Sequence, residues 1–416
     1  MTTMNRDMNI HILVKPIGSL CNMRCKYCFY IEKKETIYPG IEDSRMKHEV
    51  MEEFIRSYLA CHNGNVISFS FQGGEPTLAG IDFFETFISI VNCHLPFGKR
   101  AVYSIQTNGI TIDESWALLF KKHNFLVGIS LDGPKWLHDK NRVTLGGQSS
   151  FENVIRGLKH LKTHNVEFNT LTTINSINAK HPLKVYRFLK QVGSKFLQFV
   201  PIVERSDAAN NGAFDPLDNV CDFINVSPES VKPADFSHFY ISIYNEWIKK
   251  DVGRIFVQMF DTILGRWVNH PAEICIFGET CGNAGVLEHN GDVYSCDHFV
   301  YQKYFLGNIL KSPLSDMFQS EKQVSFGLHK QEAMPSVCRD CEFNFICNGG
   351  CPKHRFLLSP RGESGLNYLC NGYKKIFAHT SRSMRFMAER WSRGEPVDSV
   401  MKFSNSKGAE FECYKT

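Results

Sequence analysis

Cys21, Cys25 and Cys28 stand at C-x3-C-x2-C spacing in the stretch Cys21-Asn22-Met23-Arg24-Cys25-Lys26-Tyr27-Cys28. Three thiolates in one short loop can grip three irons of a cubane [4Fe–4S] cluster, which leaves the fourth iron open to a substrate or cofactor. The plainer alternative is a structural zinc loop. Zinc takes four closed ligands, usually from paired C-x2-C knuckles, and no fourth Cys or His lies close behind Cys28.

A second array follows late in the chain: Cys275-x5-Cys281-x14-Cys296, then Cys338-x2-Cys341-x5-Cys347-x3-Cys351-x18-Cys370. Eight thiols make two four-ligand sites, and four thiolates suit either zinc or a cubane. Spacing settles neither the metal nor which cysteines share a site. Cys61, Cys93, Cys221 and Cys413 are scattered and read as ordinary small residues. Glu288 to Cys296 reads as a hairpin with Asn290-Gly291 as its turn. Asp297 follows Cys296 directly. On its own this acid reads first as a hydrogen-bond acceptor beside a metal ligand, and second as a general base.

The elements that must position these residues show in the hydrophobic pattern. Short β-rich runs cover Ile12–Pro16, Val66–Phe71, Val102–Gln106, Leu126–Leu131, Phe168–Ile174 and Phe196–Val200. Helix-like stretches lie between them: His48–Cys61, Ile81–Cys93, Asp113–Lys122, Phe151–His164 and Pro182–Val192. Thr111 is the expected cap of the third, which carries Asp113 and Glu114 in its first turn. Such alternation predicts parallel strands joined by βαβ crossovers. Six units are too few for a closed eight-fold barrel. The expected fold is α/β, a partial (β/α)6 barrel, with a doubly wound open sheet also compatible with the pattern. The cysteine triplet, Gln72-Gly73-Gly74-Glu75-Pro76, Gln106-Thr107-Asn108-Gly109 and Ser130-Leu131-Asp132-Gly133-Pro134 all follow strands. In parallel α/β folds that edge carries the active site. Residues 205–235 turn polar and proline-bearing, and Phe236–Lys249 resumes as an amphipathic helix. The expected division is 1–235 barrel, 236–270 helical linker, 271–375 cysteine-rich domain and 376–416 C-terminal helix and tail.

At 416 residues the chain can bury more than one core. A net charge of +4 without blocks of like charge points to no nucleic-acid partner. The polar start, Met1 to Asn9, has no apolar h-region, and no run reaches the length of a membrane span. The expectation is a cytosolic protein with no membrane partner, whose thiols stay reduced and serve as metal ligands rather than disulfides.

Taken together, the cysteine loop, the Gly73-Gly74-Glu75-Pro76 motif and the later array resemble radical S-adenosylmethionine enzymes with a SPASM-type C-terminal domain. Lys15-Pro16, Cys28-Phe29-Tyr30, Phe71 to Thr77, Leu131 to Pro134, Cys296-Asp297-His298, Gly349 to Arg355 and Leu366 to Cys370 narrow the resemblance to anaerobic sulfatase-maturating enzymes. The resemblance implies three [4Fe–4S] clusters and S-adenosylmethionine as cofactors. It implies oxidation of a Cys or Ser side chain in a sulfatase polypeptide to Cα-formylglycine through a 5′-deoxyadenosyl radical, with Asp297 as the proton acceptor. Tyr27, Gly73, Gly74, Glu75, Ser130, Arg142 and Val203 would bind S-adenosylmethionine, the two glycines by letting backbone approach it and Glu75 by accepting from its ammonium. Tyr30 and Gln72 would lie near the substrate peptide. Cys275, Cys281, Cys296 and Cys351 would hold one auxiliary cluster, and Cys338, Cys341, Cys347 and Cys370 the other. An electron donor such as flavodoxin or ferredoxin would serve a monomeric enzyme. Competing readings are a related radical enzyme that forms thioethers in another peptide, and a metal-clasped binding or electron-transfer protein.

Overall fold

The computed structural model describes residues 10–31, 33–39, 45–206 and 225–405. Met1 to Asn9, Cys221, Cys413 and much of the polar 205–235 stretch lie outside the described residues. The chain forms two compact units, one from residues 1–130, 139–168 and 280–329, the other from 131–138, 169–279 and 330–416.

The strands in chain order are β1 (His11–Val14), β2 (Val66–Phe71), β3 (Arg100–Thr107), β4 (Leu126–Ser130), β5 (Phe168–Ile174), β6 (Phe196–Pro201), β7 (Phe256–Val257), β8 (Ala284–Leu287), β9 (Asp292–Tyr294) and β10 (Phe305–Asn308). The first six alternate with helices as the sequence pattern predicts. β1 ends earlier than expected. Pro16 has no N–H to give a ladder, and Lys15 makes one last bond, its N–H donating to the Leu287 carbonyl at 2.8 Å.

In the first unit the strand order is β10-β9-β8-β1-β2-β3-β4. β1 lies between β2 and β8 and is parallel to both. β8 and β9 form the hairpin expected at Glu288–Cys296, one turn of sequence earlier in its first strand. This hairpin therefore extends the sheet formed by β1 to β4, which strand–helix alternation could not reveal. Its turn brings Glu288 and His289 to the carboxyl edge of β1. Beneath the sheet, Phe54, Phe69, Phe71, Phe84, Phe87 and Phe125 are at most 1 % exposed. The Phe71 ring meets Phe84 and Phe87 edge-on at centroid distances of 5.0 and 4.9 Å. Each such ring contributes about 1.5–3 kcal/mol of burial. Helix Phe151–Thr163 comes so close to the loop after β3 that a Cβ on Gly157 would overlap the Gly109 carbonyl.

The second unit carries β5, β6 and β7 as a parallel set. Two long helices, Pro233–Lys250 and Cys370–Ser392, pack on each other within it. Tyr244 and Ser383 share a buried hydroxyl bond of 2.6 Å, and Gly372 leaves room for Phe236, whose ring carbon would sit 2.8 Å from a Cβ there. No helix among the described residues is long and apolar enough to cross a membrane.

Thr111 is not a cap. Helix Glu114–Lys122 is capped by Asp113, whose carboxylate accepts from the Trp116 N–H at 3.1 Å. Thr111 instead bonds the Thr77 hydroxyl. Asp113→Ala should therefore lower stability by about 1 kcal/mol, read as a lower midpoint in thermal unfolding, with no change in secondary structure content.

Candidate functional site

The cysteine loop leaves β1 through a tight turn at Gly18, with φ of +56°. It is sewn down on one side by Arg24 N–H to the Val143 carbonyl, 2.9 Å, and Lys26 N–H to the Asn141 carbonyl, 3.0 Å. On the other side the loop after β2 lies along it: Gly74 N–H donates to the Gly18 carbonyl at 2.9 Å and Glu75 N–H to the Leu20 carbonyl at 2.8 Å. A Cβ on Gly74 would overlap the Leu20 backbone, and one on Gly73 would come within 2.9 Å of the Gly18 carbonyl and 3.1 Å of Lys15 Cδ. The glycines expected to make room for a ligand thus make room first for the chain itself.

Glu75 follows these glycines in the same loop. Its side chain is fully buried. Oε1 accepts from the Thr77 N–H at 3.1 Å, the Thr77 hydroxyl at 2.5 Å and the Thr107 hydroxyl at 2.7 Å, and Oε2 accepts from the Asn108 N–H at 2.7 Å. The bonds from Thr107 and Asn108 tie the loops after β2 and β3 together. Burial pushes its carboxyl upward, against the opposing pull of the Thr77, Asn108 and Thr107 donors.

Asn108 Nδ2 donates to Asn22 Oδ1 at 2.7 Å and lies 3.8 Å from Cys21 Sγ. Burial raises the Cys21 thiol to about 12, helped by the charges of Glu75, Cys25 and Cys28. The Cys28 thiol is raised by burial as well. Two buried thiols with a third on the same short loop fit a cluster whose iron would supply the positive charge needed to release their protons. Of the residues expected around S-adenosylmethionine, Tyr27 and Arg142 are buried together, the guanidinium 5.6 Å from the ring centroid. Ser130 accepts from Gln106 Nε2 at 3.1 Å. Val203 is buried in the second unit.

Lys15, at the end of β1, is 1 % exposed. Its ammonium is ion-paired with Asp297 Oδ1 and lies 4.2 Å from the centre of the Tyr30 ring. Tyr30 is buried and donates its hydroxyl to Glu288 Oε1. It packs with Tyr38, Val286, Tyr294 and Val300. Burial and the Glu288 charge push the Tyr30 phenol far up, so it stays neutral. Phe29 and His298 meet edge to face at 5.5 Å. The segment just after Cys28 therefore touches the segment just after Cys296. Gln72 is half-buried behind β2, its N–H donating to the Val14 carbonyl at 3.0 Å. Sequence reading named Asp297, Tyr30 and Gln72 but gave no role to Lys15, Glu288 or Asn108. The signal for Lys15 was a lone cation ending an otherwise apolar strand.

The eight later cysteines divide between the units: Cys281 and Cys296 in the first, Cys275, Cys338, Cys341, Cys347, Cys351 and Cys370 in the second. Cys338, Cys341, Cys347 and Cys370 line one cavity of about 170 Å³ with Phe343, Tyr373 and others. Burial raises Cys338 to about 11 and Cys347 to about 12, with the neighbouring thiols adding to both shifts. A soft four-sulfur donor set in a mostly apolar cavity fits an iron–sulfur cluster. The backbone beside it is fixed by Arg355, which donates to the carbonyls of Asn348 at 2.6 Å and Gly349 at 3.0 Å.

Residues 16–189 match the radical SAM superfamily and residues 279–342 an iron–sulfur cluster-binding SPASM domain. The chain is 38 % identical over 399 residues to a serine-type anaerobic sulfatase-maturating enzyme of Bacteroides thetaiotaomicron, covering 94 % of each chain. It is 34 % identical over 382 residues to a cysteine-type enzyme of Clostridium perfringens, covering 89 % of this chain and 96 % of that one. The solved structure of native anSMEcpe with bound AdoMet and Kp18Cys peptide superposes with a TM-score of 0.79 at 32 % identity, covering 91 % of this chain and 99 % of that one. With its triplet loop, its later cysteine array and this near full-length likeness, the chain belongs to the anaerobic sulfatase-maturating enzymes, radical SAM proteins with a SPASM domain.

Proposed function

We propose that this chain oxidises a Ser or Cys side chain of a sulfatase polypeptide to Cα-formylglycine. The observation that carries the reading is Asp297, ion-paired to buried Lys15 in the same unit as the cysteine loop, with its neighbour His298 against Phe29. Cys21, Cys25 and Cys28 would hold one [4Fe–4S] cluster, Cys275, Cys281, Cys296 and Cys351 a second, and Cys338, Cys341, Cys347 and Cys370 a third. Tyr27, Gly73, Gly74, Glu75, Ser130, Arg142 and Val203 would receive S-adenosylmethionine, with Glu75 accepting from its ammonium. When bound, these cofactors would supply the 5′-deoxyadenosyl radical chemistry that removes a β-hydrogen from the target residue, and a place for the second departing electron.

The chain's own part is to hold the peptide and move one proton. Tyr30 and Gln72 border the peptide, and Asp297 takes the proton from its Oγ or Sγ. Loss of one hydrogen atom, one proton and one electron turns CH2–OH into the aldehyde and CH2–SH into the thioaldehyde. Water then replaces the sulfur of the latter and releases sulfide. The barrel is assigned to residues 1–235 and the cluster domain to 271–375, joined by 236–270 and followed by the helix and tail to 416. A cytosolic one-electron carrier of the flavodoxin or ferredoxin class would supply the electron to a monomeric enzyme.

Three cubanes require about twelve irons per chain. Anaerobic purification with iron, sulfide and Mössbauer analysis should find them, and stoichiometric zinc with one cluster's worth of iron would sink the assignment. Cys25→Ala should abolish 5′-deoxyadenosine formation, because two thiolates do not hold a cubane; cleavage at the parent rate would remove the loop from catalysis. Asp297→Asn keeps the side-chain shape but loses the basic oxygen. It should lower formylglycine yield on a Ser- or Cys-bearing peptide by about 10²–10⁴, with full iron and retained cofactor cleavage. Normal yield at full iron would exclude Asp297 as the base.

A further inference from the structure

We propose that Lys15 is the positioning residue of the deprotonation step, holding the Asp297 carboxylate in the orientation from which it takes the substrate proton. This rests on Asp297 being the base. An ammonium that is 1 % exposed has lost its water, and such a charge is tolerated only where fixed partners replace it. Lys15 has them on several sides. Asp297 supplies the counter-charge, and the Tyr30 face lies 4.2 Å away. Its backbone is pinned to β8 through Leu287, and β8 is the hairpin partner of β9, which leads into Asp297. Its methylene stem runs under Gly73, where any Cβ would come within 3.1 Å of Cδ. Tyr30 is itself fixed, by its bond to Glu288 and by packing against Tyr38, Val286, Tyr294 and Val300.

The consequence is geometric. Ligation at Cys296 would set the backbone next to Asp297. The ammonium holds the carboxylate itself. It also refers the base to the Gly73 loop through a single side chain, so base and cofactor loop share one reference point. A proton acceptor must lie within about 2.6–3.2 Å of the atom it relieves, and a displacement of about 1 Å can cost about 10²-fold in rate.

Lys15→Met keeps the stem against Gly73 and removes the charge. On reconstituted protein with full iron, formylglycine formation should fall about 10²-fold while 5′-deoxyadenosine formation stays near the parent rate. The ratio of the two products then separates a positioning loss from damage to the cofactor loop, which would lower both together. The decisive variant is Lys15→Met with Asp297→Asn, where neither member of the ion pair is left charged without the other. If Lys15 acts only through Asp297, the double variant matches Asp297→Asn in product yield and cofactor cleavage, and its unfolding midpoint lies above that of Lys15→Met alone. This comparison holds even if Lys15→Met alone does not load iron. Normal formylglycine yield in Lys15→Met, loss of cleavage and product in parallel, or multiplied losses in the double variant would each overturn the proposal. Normal yield in Asp297→Asn would instead refute the base assignment beneath it.

Discussion

Glu75 has no exposed surface and gives both oxygens to protein donors from two loops. Hydrogen bonds to a charged group are worth about 1.5–3 kcal/mol each, and leaving such a buried group unpaired costs more than making the bond gains. The carboxylate therefore forces the loops after β2 and β3 together. Its own N–H holds the cysteine loop at Leu20, and Gly74 lets the two backbones lie in contact. Asn108, brought in by the same carboxylate, reaches Asn22 inside the cysteine triplet. One buried acid thus fixes the Cys21 end of the triplet, while Val143 and Asn141 hold the chain farther along at Arg24 and Lys26.

The opposite edge of the same loop depends on the late hairpin. β8 pairs in parallel with β1, so a segment some 270 residues later in sequence, His11 against Ala284, sets the wall beside Lys15. That pairing supplies Glu288 for Tyr30 and Asp297 for Lys15. Unlike charges and hydroxyls meet there with little water, and each group is held by the next. Loss of one member leaves its neighbour buried without compensation, which makes the arrangement stiff.

Much of this was legible because short-range rules govern it. The bounds of β2, β5 and helix His48–Cys61 follow from local periodicity, and the sequence reading places them at the same residues. The cysteine array is read from ligand chemistry alone. The rest was hidden by long-range packing. Nothing local to Ala284–Leu287 distinguishes a strand added beside β1 from a strand in a free hairpin. The Gly73-Gly74 pair looks like room for a ligand until Leu20 and Lys15 occupy the space. The bonds that Thr77, Thr107 and Asn108 give to Glu75 join two loops far apart in sequence, which no local pattern shows. Thr111 and Asp113 both suit a cap, and only the Thr77 contact decides between them.

The four thiols of the second unit obey a different constraint. Their cavity is mostly apolar, with Phe343, Tyr373 and Phe377 in its wall, and burial pushes the Cys338 and Cys347 thiols up. Iron binding must expel those protons, so metal affinity rises with pH and the binding energy becomes folding energy. Cys370 is the first residue of the helix that packs on Pro233–Lys250, so a metal held by this thiol would also fix that helix's start. In the first unit a buried carboxylate orders the thiols through the backbone. In the second, the thiols line a cavity at the start of a packed helix, so a metal held there would pass its order outward to that helix.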